Sequence, residues 1–342
     1  MPSPRFLNTR GAIFMISRRF WFWPLLWASL IGATLLHLTW GAPIALSDLW
    51  SADPSVARQI FLELRPPRVI AALLVGASLS LAGAGLQSLF RNPLAEPYLL
   101  GISSGGALGA TIAAALGLPS YRGFDAGAIF AFGGAILTAM VVYALGKSRE
   151  NDGFSAGSAR LLLSGVALSA FLSALMSLVI ALSGRFDLAQ QITFWLLGGL
   201  TRASWPQNAV LLGAFFVGGA ILLNCTRDLN ALRAGEDDAA SLGVEIGRVH
   251  RKILFAASLL SAACVAAAGL IGFVGLLAPH AIRLLGGRDA RVLLPGAALG
   301  GAILLCVCDA LARGAFQPIE IPVGILTALL GVPFFLFLAR RS

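Results

Sequence analysis

The chain has 342 residues, of which 58% are hydrophobic and only 12% charged, whereas soluble proteins carry about 25% charged residues. Apolar stretches close to the ~20 residues needed to cross a bilayer core recur along nearly its whole length, which excludes an ordinary soluble fold. The 25 basic residues outnumber the 16 acidic ones, but they lie almost entirely between apolar stretches. The excess therefore reads as membrane topology rather than as a nucleic-acid surface.

In chain order, Arg18 and Arg19 precede an apolar run from Phe20 to Leu38. That run is long for a signal-peptide core and no small-x-small cleavage site follows it, so it reads as the first span. Further spans are expected at 66–90, 98–117, 124–146, 160–183, 205–225, 252–271, 273–286, 294–312 and 322–339. With 20–40 this makes ten, giving an all-α integral membrane protein with a short tail at 1–19 and one transmembrane domain over 20–340. The pair 252–271 and 273–286 is divided only by the stretch from Gly269 to Gly275, which also fits a break inside one longer element or a re-entrant segment.

With the amino terminus inside, seventeen basic residues fall on the cytoplasmic side and seven outside, and both termini are expected to be cytoplasmic. Two longer polar stretches remain, 41–65 and 226–251, the second carrying Glu236, Asp237 and Asp238 among its basic residues. Neither has room for a catalytic domain.

Glycine is abundant, 39 in all, and often recurs every fourth residue, as in Gly101, Gly105 and Gly109, or Gly296 and Gly300. Such rows let helix backbones approach closely. Ser103 and Ser104 interrupt the first row and are candidates for lining a polar translocation path.

Chemistry-bearing motifs are absent. No G-x-x-x-x-G-K-[ST] phosphate loop occurs, nor H-E-x-x-H, nor a His/Cys cluster. Cys225, Cys264, Cys306 and Cys308 lack metal-ligand spacing and read as small hydrophobes. No metal site, no bound cofactor and no enzymatic activity are expected of this chain. Of the three histidines, only His280 is placed within a span, and a lone helix histidine reads as a structural hydrogen-bonding group. Asp309 stands out as a carboxylate in a span, with Arg313 one turn later as its expected partner.

Several blocks together resemble one family. They are Arg65-Pro66-Pro67-Arg68, Gly83-Ala84-Gly85-Leu86-Gln87, Arg91-Asn92-Pro93-Leu94-Ala95-Glu96-Pro97 and Leu100-Gly101-Ile102-Ser103-Ser104-Gly105. In the second half they are Gly235-Glu236 with Ala240 to Val244, Gly272 to Leu276 with Ala278-Pro279-His280, Pro322 to Ile325, and Gly331 to Phe335. In this order they resemble the FecCD-type permeases of bacterial ABC importers for iron-siderophore, haem or cobalamin, over about residues 44–340.

The resemblance implies a type II ABC importer permease fold in the bacterial cytoplasmic membrane, working as a homodimer. It implies two cytoplasmic ATPase subunits, which would carry the ATP and magnesium, a periplasmic substrate-binding protein, and surrounding lipid; no nucleic acid is expected. It places ATPase coupling at Gly235, Glu236, Ala240, Leu242 and Gly243 in the 226–251 loop. It places binding-protein docking at Arg65, Arg68 and Arg313. An iron chelate is the expected cargo, with cobalamin the alternative. An ion-coupled secondary transporter resting on Asp309 and Arg283 is the rival from another class, and a membrane-embedded enzyme is a more distant one.

Overall fold

The computed structural model describes residues 9–40, 64–121, 124–146, 154–315 and 317–340. Most of the expected 41–65 loop lies outside the described residues. Among the described residues the secondary structure is helical, apart from one isolated bridge between Tyr121 and Phe124.

The helices are α1 (Thr9–Thr39), α2 (Arg65–Leu89), α3 (Ile102–Ala115), α4 (Ala126–Gly146), α5 (Phe154–Ser183), α6 (Phe186–Leu196) and α7 (Trp205–Asn224). They continue with α8 (Thr226–Leu232), α9 (Glu236–Ser241), α10 (Ile246–Ala268), α11 (Val274–Leu284), α12 (Ala290–Gly314) and α13 (Val323–Ala339). Seven of these, α1, α2, α4, α5, α7, α10 and α12, are long and apolar enough to cross a membrane. The other three expected spans are the shorter apolar helices α3, α11 and α13. The stretch 269–273 separates α10 from α11, with Gly269 at φ 67° and Phe273 at φ 67°, so the glycine-rich region is a true break. Helix α6 has no counterpart among the expected spans. It has 11 residues and is about 16 Å long, half of what a crossing requires.

Helix α2 is the axis of the bundle and packs against α12, α10, α11, α7 and α1. It begins on Pro66 and Pro67, which suit a first turn because its N–H groups lack intrahelical partners in any case. From Val75 to Leu89 every residue is buried, and the buried set is rich in Gly, Ala and Ser. Lipid tails are as apolar as leucine, so association of helices within a bilayer depends on close packing, and small residues permit it. At the crossing of α2 and α12, Gly76 and Gly301 meet so closely that a Cβ on either would stand 2.2 Å from the other's carbonyl oxygen. The opposite case is α5, whose apolar residues are almost all at the periphery.

The four cysteines are free and buried, as small hydrophobes should be. Cys306 reaches the carbonyl of Ala33 at 3.4 Å and Cys264 that of Val75 at 3.8 Å, so two of them sit at helix crossings.

Because backbone stands against backbone at the α2–α12 crossing, neither side can yield by a rotamer change. Gly76→Ala and Gly301→Ala should each destabilise the protein by about 1–3 kcal/mol, read as a lowered unfolding temperature in detergent. Gly133→Ala, where an added methyl meets nothing within 4 Å, should leave that temperature unchanged.

Candidate functional site

Polar groups concentrate at the two ends of the bundle and at the break between them. At the end where α2 begins and α12 finishes, Asp309 is 1% exposed. Arg68 grips it with two bonds, Nε to Oδ2 at 2.8 Å and Nη2 to Oδ1 at 3.1 Å. His37 Nε2 lies 2.7 Å from Oδ2. The remaining nitrogen of Arg68 reaches Glu320 at 2.8 Å. Asp309 is thus held by α1 and α2.

This corrects the expectation that Arg313 pairs with Asp309. Arg313 instead donates to the carbonyls of His37 and Trp40, the latter at 2.7 Å, while Arg65 donates to the carbonyl of Leu38. The reason is the end of α1. The last carbonyls of a helix lack intrahelical partners and carry its negative dipole end, and two buried arginines from neighbouring helices satisfy them. Arg65, Arg68 and Arg313, expected to dock the binding protein, therefore come together in one cluster, with Arg65 and Arg313 buried and Arg68 paired to acids of the same chain.

Beside this cluster three helix ends converge. The backbone after α6, the backbone after α10 and the start of α13 touch one another. Gly199 N donates to the carbonyl of Ala268 at 2.9 Å, and Gly324 N stands 3.4 Å from the carbonyl of Gly198. Non-helical backbone at membrane depth is tolerated where protein buries it or where it lines a cavity, and both conditions hold here. A cavity of about 280 Å³ opens over the junction, lined by Gly198, Gly269 and Val323 below and by Arg68, Arg202 and Glu320 above.

The break is also fastened from the other side. Glu96 Oε1 accepts from Phe273 N at 2.7 Å, Gln87 Nε2 donates to the carbonyl of Gly275 at 2.9 Å, and Arg283 Nη1 donates to Gln87 Oε1 at 2.6 Å. The Asn92–Pro97 corner supplies Glu96 and closes on an Asn92 side chain that accepts from Leu94 N at 2.9 Å. Ser103 and Ser104 lie half-buried in the first turn of α3. His280 stands edge-on to Phe334 with ring centroids 5.0 Å apart.

At the opposite end, the 226–251 stretch contains the short helices α8 and α9 and the first turns of α10. Helix α8 is tied to the start of α12, because Asn230 donates to Asp289 at 2.9 Å and accepts from Ala290 N at 2.9 Å. Helix α9 rests on Ala239, which is fully buried beside Leu229 and Leu232. Its exit is built by Gly243 at φ 81°. Gly243 N donates to the Ala240 carbonyl at 2.9 Å and Val244 N to that of Ala239 at 3.0 Å, the paired bonds of a Schellman termination. This turn leaves Ala240, Leu242 and Gly243 exposed, Leu242 by 70%, while Val244 and Ile246 pack back on the core. Gly235 and Glu236 open the helix beside Arg91. Burial raises the Glu236 carboxyl above its ordinary value, against the opposing pull of Arg91. Among the described residues no group of three potential metal ligands occurs.

The FecCD transport family matches residues 25–341. The chain belongs to that family. It is 44% identical over 323 residues to the cobalamin import system permease protein BtuC of Halobacterium salinarum, covering 91% of this chain and 85% of that one. It is 40% identical over 302 residues to the hemin transport system permease protein HmuU of Yersinia pestis, covering 87% and 89%. A solved inward-facing structure assigned to the metal-chelate type ABC transporters superposes with a TM-score of 0.80 at 34% identity, covering 93% of this chain and 98% of that one. This FecCD chain is accordingly a multi-pass ABC importer permease with the type II fold.

Removing one member of a buried ion pair leaves the other uncompensated, at about 3–5 kcal/mol. Asp309→Ala should lower stability by that order in a denaturant titration in detergent, and the double variant Asp309→Leu with Arg68→Met should recover most of it. An unshifted Asp309→Ala would mean that the cluster is solvated and carries little of the fold.

Proposed function

We propose that this FecCD permease carries a bulky metal chelate of the corrinoid or haem class across the cytoplasmic membrane, as a homodimer driven by two cytoplasmic ATPase subunits and supplied by a periplasmic binding protein. The observation that carries the cargo class is the near full-length identity to permeases named for cobalamin and hemin. The cargo expected from the sequence is an iron chelate, ferric siderophore or haem, so ferric siderophores belong in the same test.

Features of the chain itself support an external motor. It has no phosphate-loop motif, yet it presents a rigidly capped apolar knob, Leu242, at the end of the bundle richest in arginine. An exposed leucine held by a closed turn between Asp238 and Glu245 suits burial in a partner's cleft. In this reading α9 faces the cytoplasm with both termini, and ATP with magnesium binds on the partner. The Arg68–Asp309 end then faces the binding protein. There Glu320 is 44% exposed, so an acidic side chain of the partner can compete with it for Arg68, and charge complementarity of this kind orients an encounter more than it adds affinity.

Substrate passes by alternating access near the broken helix ends, where backbone rather than long side chains forms much of the wall. Ser103 and Ser104 are proposed to line that path. The ion-coupled alternative loses its main support, because Asp309 and Arg283 are both engaged within the chain.

Two measurements test the reading. Leu242→Asp should weaken association with the ATPase about tenfold or more, the effect of an anchor residue, with no change in unfolding temperature. In proteoliposomes containing permease and ATPase, binding protein loaded with cobalamin, haem or ferric siderophore should support ATP-dependent uptake of one cargo. Uptake that ignored ATP and followed an imposed proton gradient would overturn the importer mechanism.

A further inference from the structure

At the α9 end, a second cavity of about 250 Å³ lies between α4 and α10. Ile136, Ala139 and Met140 of α4 face Leu254, Phe255 and Ser258 of α10 across it. Both helices are membrane-crossing elements, and the exposure of Met140 and Phe255, 61% and 56%, places the opening on the lateral surface of the bundle. The groove therefore receives its occupant from within the bilayer.

Below its mouth the lining is apolar except for the small hydroxyl of Ser258. Arg251, in the second turn of α10, and Tyr143, in the last turn of α4, stand at the rim, about 10 Å along the helix axis from Ser258 and Ile136. Among the described residues Arg251 has no ion pair, whereas its neighbour Arg248 is engaged by Glu245 at 2.9 Å. Lys252 adjoins it in sequence and is likewise exposed. A guanidinium at the edge of a membrane-facing apolar slot, with no carboxylate of its own, is chemically matched to one class of molecule. Its fork of N–H donors fits a phosphate with two parallel bonds, and the slot beneath it fits an acyl chain.

We propose that this groove is a binding site for an anionic glycerophospholipid, its phosphate on Arg251 with Tyr143 alongside and one acyl chain lying between α4 and α10. Basic pockets between transmembrane helices are suited to anionic headgroups, each basic residue contributing about 1 kcal/mol near the surface. The lipid occupies the seam between α4 and α10. Helix α10 continues directly from the α9 turn that bears Leu242, so the lipid braces the helix nearest the proposed motor contact. A phosphatidylcholine of equal chain length fits the slot but brings a cationic group to a cationic rim.

The test is native mass spectrometry of the full-length permease in nonionic detergent, titrated with palmitoyl-oleoyl phosphatidylglycerol or phosphatidylcholine. Wild type should retain the phosphatidylglycerol preferentially. Arg251→Gln should weaken that retention about fivefold without affecting phosphatidylcholine, Arg251→Lys should restore it only in part because the ammonium keeps the charge but not the fork, and Arg248→Gln should leave it unchanged. Ala139→Phe, which fills the slot, should remove the tightest phosphatidylglycerol adduct while the protein stays monodisperse. Equal retention of the two lipids by wild type, or unaltered phosphatidylglycerol binding by Arg251→Gln, would overturn the assignment. So would an Ala139→Phe variant that kept its lipid but lost its dimer, because the groove would then hold a second copy of the chain.

Discussion

The backbone of α2 touches the backbone of α12 at Gly76 and Gly301, and the bundle is arranged around that approach. A helix surrounded by protein on nearly every side needs neighbours that come close without large side chains between them. Within a bilayer the approach is favoured by dispersion and not by expulsion of water. Closeness at the axis also brings the start of α2 beside the last turns of α1 and α12, which is where Arg65, Arg68, His37, Asp309 and Arg313 meet. The cluster at that end is a consequence of the crossing as much as of its own charges.

The same approach accounts for the helices that stop short. Gly83 of α2 lies against the backbone of Gly275 at the start of α11, and Gln87 and Glu96 hold that start in place. Helices α6, α10 and α13 end or begin against one another around Gly198, Gly269 and Gly324, which exchange backbone contacts in place of a continuous ladder. Irregular backbone from three helix ends is thus gathered at one junction, beside a cavity. A permease that rearranges needs such a place, because a packed pair of complete helices has few ways to shift while free helix ends have several.

At the opposite end, the proposed motor contact rests on a small surface. The α9 turn turns one alanine inward and one leucine outward, and Gly243 permits the reversal between them. The proposed lipid groove lies between α4 and the helix that follows that turn, so the proposed motor contact and one wall of the groove share a short stretch from 235 to 258.

Much of this was legible in the chain. The lengths of apolar runs determined the seven long helices and the positions of the three shorter ones, because covering a bilayer core is a matter of residue count and composition. The glycine rows announced close packing, the ordered blocks announced the family, and the glycines at 269–275 announced a break. Helix α6 was hidden because eleven residues carrying Asp187 and Gln191 do not make a crossing, and only contact with α3 and α5 stabilises them. The partner of Asp309 was hidden for a related reason. Local spacing offered Arg313, but the open carbonyls of α1 compete for that guanidinium, and which helix end arrives beside which residue is a property of three-dimensional packing. Sequence determined what each segment could be, since that depends on neighbours along the chain. Tertiary structure alone decided which buried charge met which, since that depends on distances between residues more than two hundred positions apart.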